Sequence, residues 1–227
     1  MYGSLRDPSF VPGRSDVDCI AVTWRPLDDR TFAVLQRWSE DAAHDDPSFS
    51  RLQISFLVKD RVLEDDPLAC LYQFGDLTRS GSDGNPIIWL DFFQRGVILW
   101  GPDPHSFVPP ITGAVFHAAL VREIGYLNEE IILKAQSEWR PRPSYRAYAV
   151  LTLCRILYSG ATGRVTSKTK AAVWALANAP DAFHDLIREA EQTSNNLGSA
   201  DLALPSIANF INYVQSHINR DSSSSTG

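Results

Sequence analysis

The chain has 227 residues, 44% of them hydrophobic and 21% charged, with a net charge of −6, a length that fits one domain or two modest ones, each able to bury a core. No apolar run approaches the ~20 residues that cross a bilayer, and the acidic balance argues against a broad nucleic-acid-binding surface. Cys19, Cys70 and Cys154 are odd in number and lack CxxC spacing, so they read as buried thiols of a cytoplasmic protein, with neither a disulfide framework nor a zinc site expected.

In chain order, the first signal is Gly3-Ser4, a turn pair whose backbone N–H groups and hydroxyl suit phosphate oxygens. A short loop leads to Ser15-Asp16-Val17-Asp18, and Asp16–Trp24 reads as a strand. Strand side chains alternate faces, so Asp16 and Asp18 point the same way, roughly 7 Å apart along the strand. Two hard oxygen ligands on one rigid edge suit Mg²⁺, which takes one or two carboxylates and completes its shell from water and substrate phosphates. The segment reads as a metal–nucleotide site.

Residues Asp29–Ala43 follow as an amphipathic helix, with Phe32, Leu35, Trp38 and Ala42 at helical spacing. Arg51–Val58 is a second strand, with Leu52, Ile54, Phe56 and Val58 on one face and Gln53 and Ser55 on the other. Ser80 to Pro86 is a loop by its breaker content. Prolines and glycines cluster between Gly101 and Pro110, and the charge balance shifts there: residues 1–108 hold 10 Lys+Arg against 17 Asp+Glu, residues 109–227 hold 11 against 10. The expected division is therefore 1–108, 109–220 and a Ser-rich disordered tail at 221–227.

Beyond the boundary the pattern is helical, over Thr112–Trp139, Tyr145–Ser159, Ser167–Ala179, Pro180–Gln192 and Ala203–Ile218. Gly160 and Gly163 mark a turn between two of these helices. Arg155 sits between Cys154 and Ile156 in an apolar stretch, where a half-buried guanidinium needs an anionic partner. Lys168 opens the next helix, where the helix end already favours anions. The five histidines form no metal-ligand spacing.

Two segments carry a family resemblance. Gly3-Ser4 followed by Ser15-Asp16-Val17-Asp18 resembles the signature of the polymerase-β-like nucleotidyltransferases. The stretch from Val150 to Ser159, then Thr162-Gly163-Arg164-Val165, Ser167-Lys168 and Ala171 to Leu176, is similar to the C-terminal helical domain of aminoglycoside adenylyltransferases of the spectinomycin/streptomycin type. Gln73-Phe74-Gly75 and Gly101-Pro102 also match.

The resemblance implies an α+β protein: a nucleotidyltransferase domain with a mixed sheet and helices, then an all-α helical bundle. It implies transfer of AMP from Mg-ATP to a hydroxyl of a small acceptor such as an aminoglycoside. Asp16 and Asp18 would be the catalytic metal ligands, and Gly3, Ser4, Ser15, Arg155 and Lys168 the nucleotide contacts. A monomeric cytoplasmic protein without nucleic-acid or membrane partners is expected.

The chain departs from the family at several places. Only Met1 and Tyr2 precede Gly3, so the strand that leads into the turn is expected to be missing, exposing a sheet edge. Where the family carries a Glu as general base this chain has Gln53, which cannot take a proton. Leu77 and Tyr145 stand where the streptomycin-type enzymes carry a Trp and an Asp that hold the acceptor. Two readings follow: an adenylyltransferase of reduced rate, or a catalytically weakened nucleotide-binding homologue acting as a sensor. A transferase acting on a protein side chain or an RNA end is a third, and the net acidity argues against RNA.

Overall fold

The computed structural model describes residues 1–227 except 7–9, 11, 13–14, 83, 135, 139, 196–200 and 225–227, and except the side chains of Ser4, Arg6, Pro47 and residues 221–224. The chain forms two compact units, Met1–Ile111 and Thr112–Gly227. The architecture is α+β, as expected: among the described residues, a mixed four-stranded sheet with helices in the first unit and helices alone in the second.

In the first unit β1 (Val17–Thr23) pairs in parallel with β2 (Leu52–Val58), and β2 pairs antiparallel with β3 (Cys70–Gln73), which pairs with β4 (Asp76–Thr78). A parallel pair needs a crossover, supplied by α1 (Asp29–Asp45), whose N-cap Asp28 accepts the Thr31 N–H at 2.7 Å. The alternation read in β2 sorts the two cores. Leu52, Ile54 and Phe56 join Tyr72, Leu77 and the α1 side chains Phe32 and Leu35 on one face. On the other, Ile20, Val22 and Leu57 pack against Trp89, Phe92 and Phe93 of α2 (Pro86–Arg95). Trp89 is buried, and its indole N–H reaches the Val62 carbonyl at 3.0 Å.

Strands β3 and β4 and helix α2 were not expected. The two strands are 4 and 3 residues long, too short for alternation to register. Pro86 to Phe93 is almost continuously apolar, and a run without a period does not distinguish a buried helix from a buried strand.

The β3–β4 hairpin turns on Phe74 and Gly75, both at positive φ (56° and 86°), as a two-residue type I′ loop requires. Gly75 suits this, and a β-carbon there would press on Ala43 at 3.1 Å. Phe74 is 67% exposed and carries the cost of a bulky side chain in the left-handed region, about 1–2 kcal/mol. Phe74→Asn is expected to stabilise the protein by about 0.5–1 kcal/mol. A calorimetric melt checks it: Tm should rise by roughly 1–4 °C, and a fall would show that the exposed ring contributes more than its strain costs.

In the second unit α3 (Gly113–Asn128) runs into a π-helical turn (Glu129–Leu133). One helix to Trp139 was expected; Trp139 itself lies outside the described residues. The wide turn coincides with a buried Glu130 carboxylate that accepts from Lys134 Nζ at 3.0 Å and Ser137 Oγ at 2.8 Å. The Lys134 bond, then that of Ser137, holds this carboxyl below its ordinary range. Next come α4 (Pro143–Thr162), α5 (Lys168–Asn178), a 3₁₀ turn (Asp181–Phe183), α6 (His184–Ser194) and α7 (Leu204–Ser224).

Helix α4 is the axis of the unit. Ala147, Ala149, Val150, Leu151, Leu153, Cys154, Ile156 and Leu157 are all buried, and α3, α5, α6 and α7 pack round it. It ends at Gly163, in the left-handed conformation (φ 66°). Helix α7 runs to Ser224, into the stretch expected as a tail; residues 225–227 lie outside the described residues.

Burial pushes the thiols of Cys19, Cys70 and Cys154 upward, Cys154 to about 12, so none is a reactive thiolate near neutral pH. Among the described residues no helix is long and apolar enough to cross a membrane.

Candidate active site

Strand β1 is the outer strand of the sheet, and the start of the chain lies along it. The Tyr2 N–H donates to the Asp18 carbonyl at 2.9 Å in an antiparallel bridge, and the Val97 N–H donates to the Met1 carbonyl at 2.9 Å. Gly3 opens a 3₁₀ turn (Gly3–Arg6) at φ 78°. Its Cα sits so close to the Asp18 side chain that a β-carbon there would collide with the carboxylate. The glycine of the Gly-Ser pair and the second carboxylate of the Asp-x-Asp pair, fifteen positions apart, are thus in contact.

The Gly3 N–H, expected to face phosphate, instead donates to Asp91 Oδ2 at 2.8 Å. The Ser4 side chain lies outside the described residues, as do 7–9, 11 and 13–14 of the loop that follows. Ser15 is half-buried just ahead of the carboxylates.

Asp16 lies one residue before β1, and its carboxylate is 3.6 Å from Arg51 Nη1, both side chains partly exposed (39% and 47%). The parallel register sets Asp18 opposite Gln53, and Arg51 is the last residue of the 3₁₀ turn Pro47–Arg51 that leads into β2. The carboxylate edge is therefore met by the Arg51 cation from the turn ahead of β2 and by the Gln53 amide from β2 itself. Such an exposed pair contributes about 0–1 kcal/mol to stability.

The donor set fits a magnesium ion. Asp16 and Asp18 offer hard carboxylate oxygens two positions apart, and Gly3, having no β-carbon, can lie against the Asp18 carboxylate. Among the described residues no three His, Cys, Asp or Glu side chains gather as a metal cluster. A cation here would complete its shell from water and phosphate, as Mg²⁺ commonly does.

In the helical unit, Arg155 on α4 donates from Nε to the Thr166 carbonyl at 3.2 Å. Lys168, at the head of α5 behind the N-cap Ser167, holds its ammonium 4.8 Å above the Tyr148 ring. Burial pushes the Tyr148 phenol well up, Glu123 adds to this, and Arg155 pulls the other way. Tyr148 therefore lies within reach of both cations, and the fold brings together the two basic residues picked from the sequence. Tyr148 also stacks on Tyr145 (5.4 Å between centroids), whose hydroxyl donates to that of Tyr126 at 3.2 Å. Burial first, and this bond second, push the Tyr145 phenol far up. Tyr145 is thus part of an uncharged aromatic stack.

Sequence reasoning missed Arg51 and Asp91. Arg51 was visible only through the β1–β2 register. Asp91 carried the same signal as Arg155, a charge inside an apolar helical run, but α2 was not recognised.

Comparison with known proteins matches both halves. Residues 106–217 fit the model of the aminoglycoside adenylyltransferase C-terminal domain. Aminoglycoside (3'')(9) adenylyltransferases from Escherichia coli and Klebsiella pneumoniae are each 27% identical to the chain, over 97% of its length and 86% of theirs. The crystal structure of spectinomycin adenyltransferase AAD(9) from Enterococcus faecialis with ATP and spectinomycin superposes with a TM-score of 0.67 at 14% identity, covering 96% of this chain and 90% of that one, and shares the fold.

Proposed function

We propose that this chain, a relative of the aminoglycoside adenylyltransferases along nearly its whole length, transfers AMP from ATP to a hydroxyl of an aminoglycoside-like molecule. The observation that carries the reading is the seating of Gly3 against the Asp18 carboxylate, which joins the phosphate-binding turn to the metal-binding pair. In this reading Asp16 and Asp18 would hold Mg²⁺, which when bound would supply positive charge to the triphosphate. Gly3, Ser4 and Ser15 border the phosphates. Arg155 and Lys168 are the nucleotide-binding residues this reading assigns within the helical unit, with Tyr148 as the platform under Lys168.

The acceptor oxygen attacks the α-phosphorus, the bond to the bridging oxygen breaks, and pyrophosphate leaves. The hydroxyl proton goes to solvent, because the Gln53 amide accepts a hydrogen bond but not a proton. Gln53, opposite Asp18 in the register, can therefore orient the acceptor without activating it, and catalysis rests on positioning and charge neutralisation. We place the protein in the cytoplasm as a monomer.

The test is incubation with Mg-ATP and a panel including spectinomycin and streptomycin, followed by mass spectrometry and pyrophosphate release. An AMP adduct on one drug and stoichiometric pyrophosphate are expected. ATP binding with no adduct on any acceptor would favour the second reading, a nucleotide-binding homologue without transfer, which Gln53 itself motivates. Absence of both would overturn the assignment.

A further inference from the structure

We infer that Asp91 is a positioning residue of the nucleotide site: its buried carboxylate holds the Gly3 amide and so fixes the Gly3-Ser4 turn against Asp18. Asp91 lies on α2, 3% exposed, within a run of Trp, Leu and Phe. A carboxylate in such surroundings requires partners, and it has two. Arg95, one helical turn on, reaches Oδ1 with Nη2 at 2.6 Å and Nε at 2.7 Å. This neutralises the charge and orients the group, leaving Oδ2 to accept the Gly3 N–H at 2.8 Å from 88 positions away.

The bond matters because of what Gly3 touches. Gly3 is in the left-handed region, and its Cα abuts the Asp18 side chain. The rest of the chain start is held through Met1 and Tyr2: the Tyr2 N–H donates to the Asp18 carbonyl, the Val97 N–H to the Met1 carbonyl, and the Met1 ammonium to the Val97 carbonyl at 3.0 Å. The Asp91 bond is the one at the turn itself, so it sets where the following residues present their N–H groups. A free turn would have to be ordered at each binding event, and that entropy would weaken the affinity. Asp91 meets neither metal nor nucleotide in this account; it acts through Gly3.

The inference rests on the nucleotide-site reading, and the experiment separates the two. Asp91→Asn keeps an oxygen for the Gly3 N–H, while Asp91→Leu, of similar size, has none. Both remove the charge facing Arg95, so the stability lost with that ion pair is common to both. Binding of Mn²⁺-ATP is measured by calorimetry on the full chain, beside amide exchange at Gly3.

Asp91→Asn should bind within about threefold of the parent and Asp91→Leu about tenfold more weakly, the effect of one hydrogen bond to a charged or amide acceptor, with Gly3 protection lost only in the Leu variant. Equal Mn²⁺-ATP affinity in the Asn and Leu variants would overturn the inference and leave the site reading standing. Fast exchange of the Gly3 amide in the unsubstituted protein would overturn it without recourse to any variant. A parent chain that binds no Mn²⁺-ATP would overturn the site reading itself, whatever the exchange data show.

Discussion

Replacing Asp16 and Asp18 together with Asn is expected to weaken Mg-ATP binding by at least about a hundredfold, some 2.7 kcal/mol. The two carboxylates are the negative charge that the chain offers a cation at this edge, since no third acidic side chain joins them among the described residues. At the effective dielectric of a protein surface, unit charges ~4 Å apart interact by about 4 kcal/mol, so removing two of them from a divalent ion is a large change even after screening. Asn keeps the shape of each side chain, so the Gly3 contact with residue 18 persists, and the exposed Asp16–Arg51 pair contributes little to folding. Calorimetric titration with ATP, in Mg²⁺ and then in EDTA, isolates the metal-dependent part. The unsubstituted protein should lose affinity in EDTA, and the double variant should bind weakly in both. Equal affinity of the two proteins for Mg-ATP would sink the metal-site assignment.

The second large effect is a gain. Gln53→Glu is expected to raise the rate of AMP transfer by about 10²–10⁴, the usual value of a positioned general base, or roughly 3–5 kcal/mol of barrier. The position is favourable because the register sets residue 53 directly across from Asp18 on the outer strand pair, beside the carboxylate edge where the acceptor hydroxyl must arrive. A carboxylate there faces Asp18, and like charges raise its pKa toward neutrality, where a base works best. Arg51, two residues before it and 3.6 Å from Asp16, offsets part of that repulsion. The rate should therefore gain a limb that falls as the pH drops through the new carboxyl's pKa. Single-turnover kinetics with saturating Mg-ATP checks it. A rate unchanged while ATP still binds would show that proton removal does not limit this protein.

Much of the scaffold was legible because its signals are local. The alternation in Leu52–Val58 placed Gln53 and Ser55 away from the α1 core, and the apolar surroundings of Arg155 marked a guanidinium in need of a partner. Among the described residues its Nε donates to the Thr166 carbonyl. Where periodicity failed, so did the reading. From Pro86 to Phe93 helix α2 is apolar but for Asp91, its other polar residues Gln94 and Arg95 coming only at its end, so its period stayed hidden, and the helix from Thr112 was expected to continue through what is a π turn around a buried Glu130.

The sequence by itself determined the chemistry on offer: a Gly-Ser turn, two carboxylates on alternate strand positions, two cations on helices, and an amide where a base was expected. Each follows from a residue type and a spacing of a few positions, within reach of strand and helix periods. Only the tertiary structure decided what these groups face. Gly3 meets Asp18 and is held by Asp91, Asp16 faces Arg51, and Tyr148 lies under Lys168. Such contacts join residues tens of positions apart, and they arise from strand register and helix packing, which no local pattern encodes.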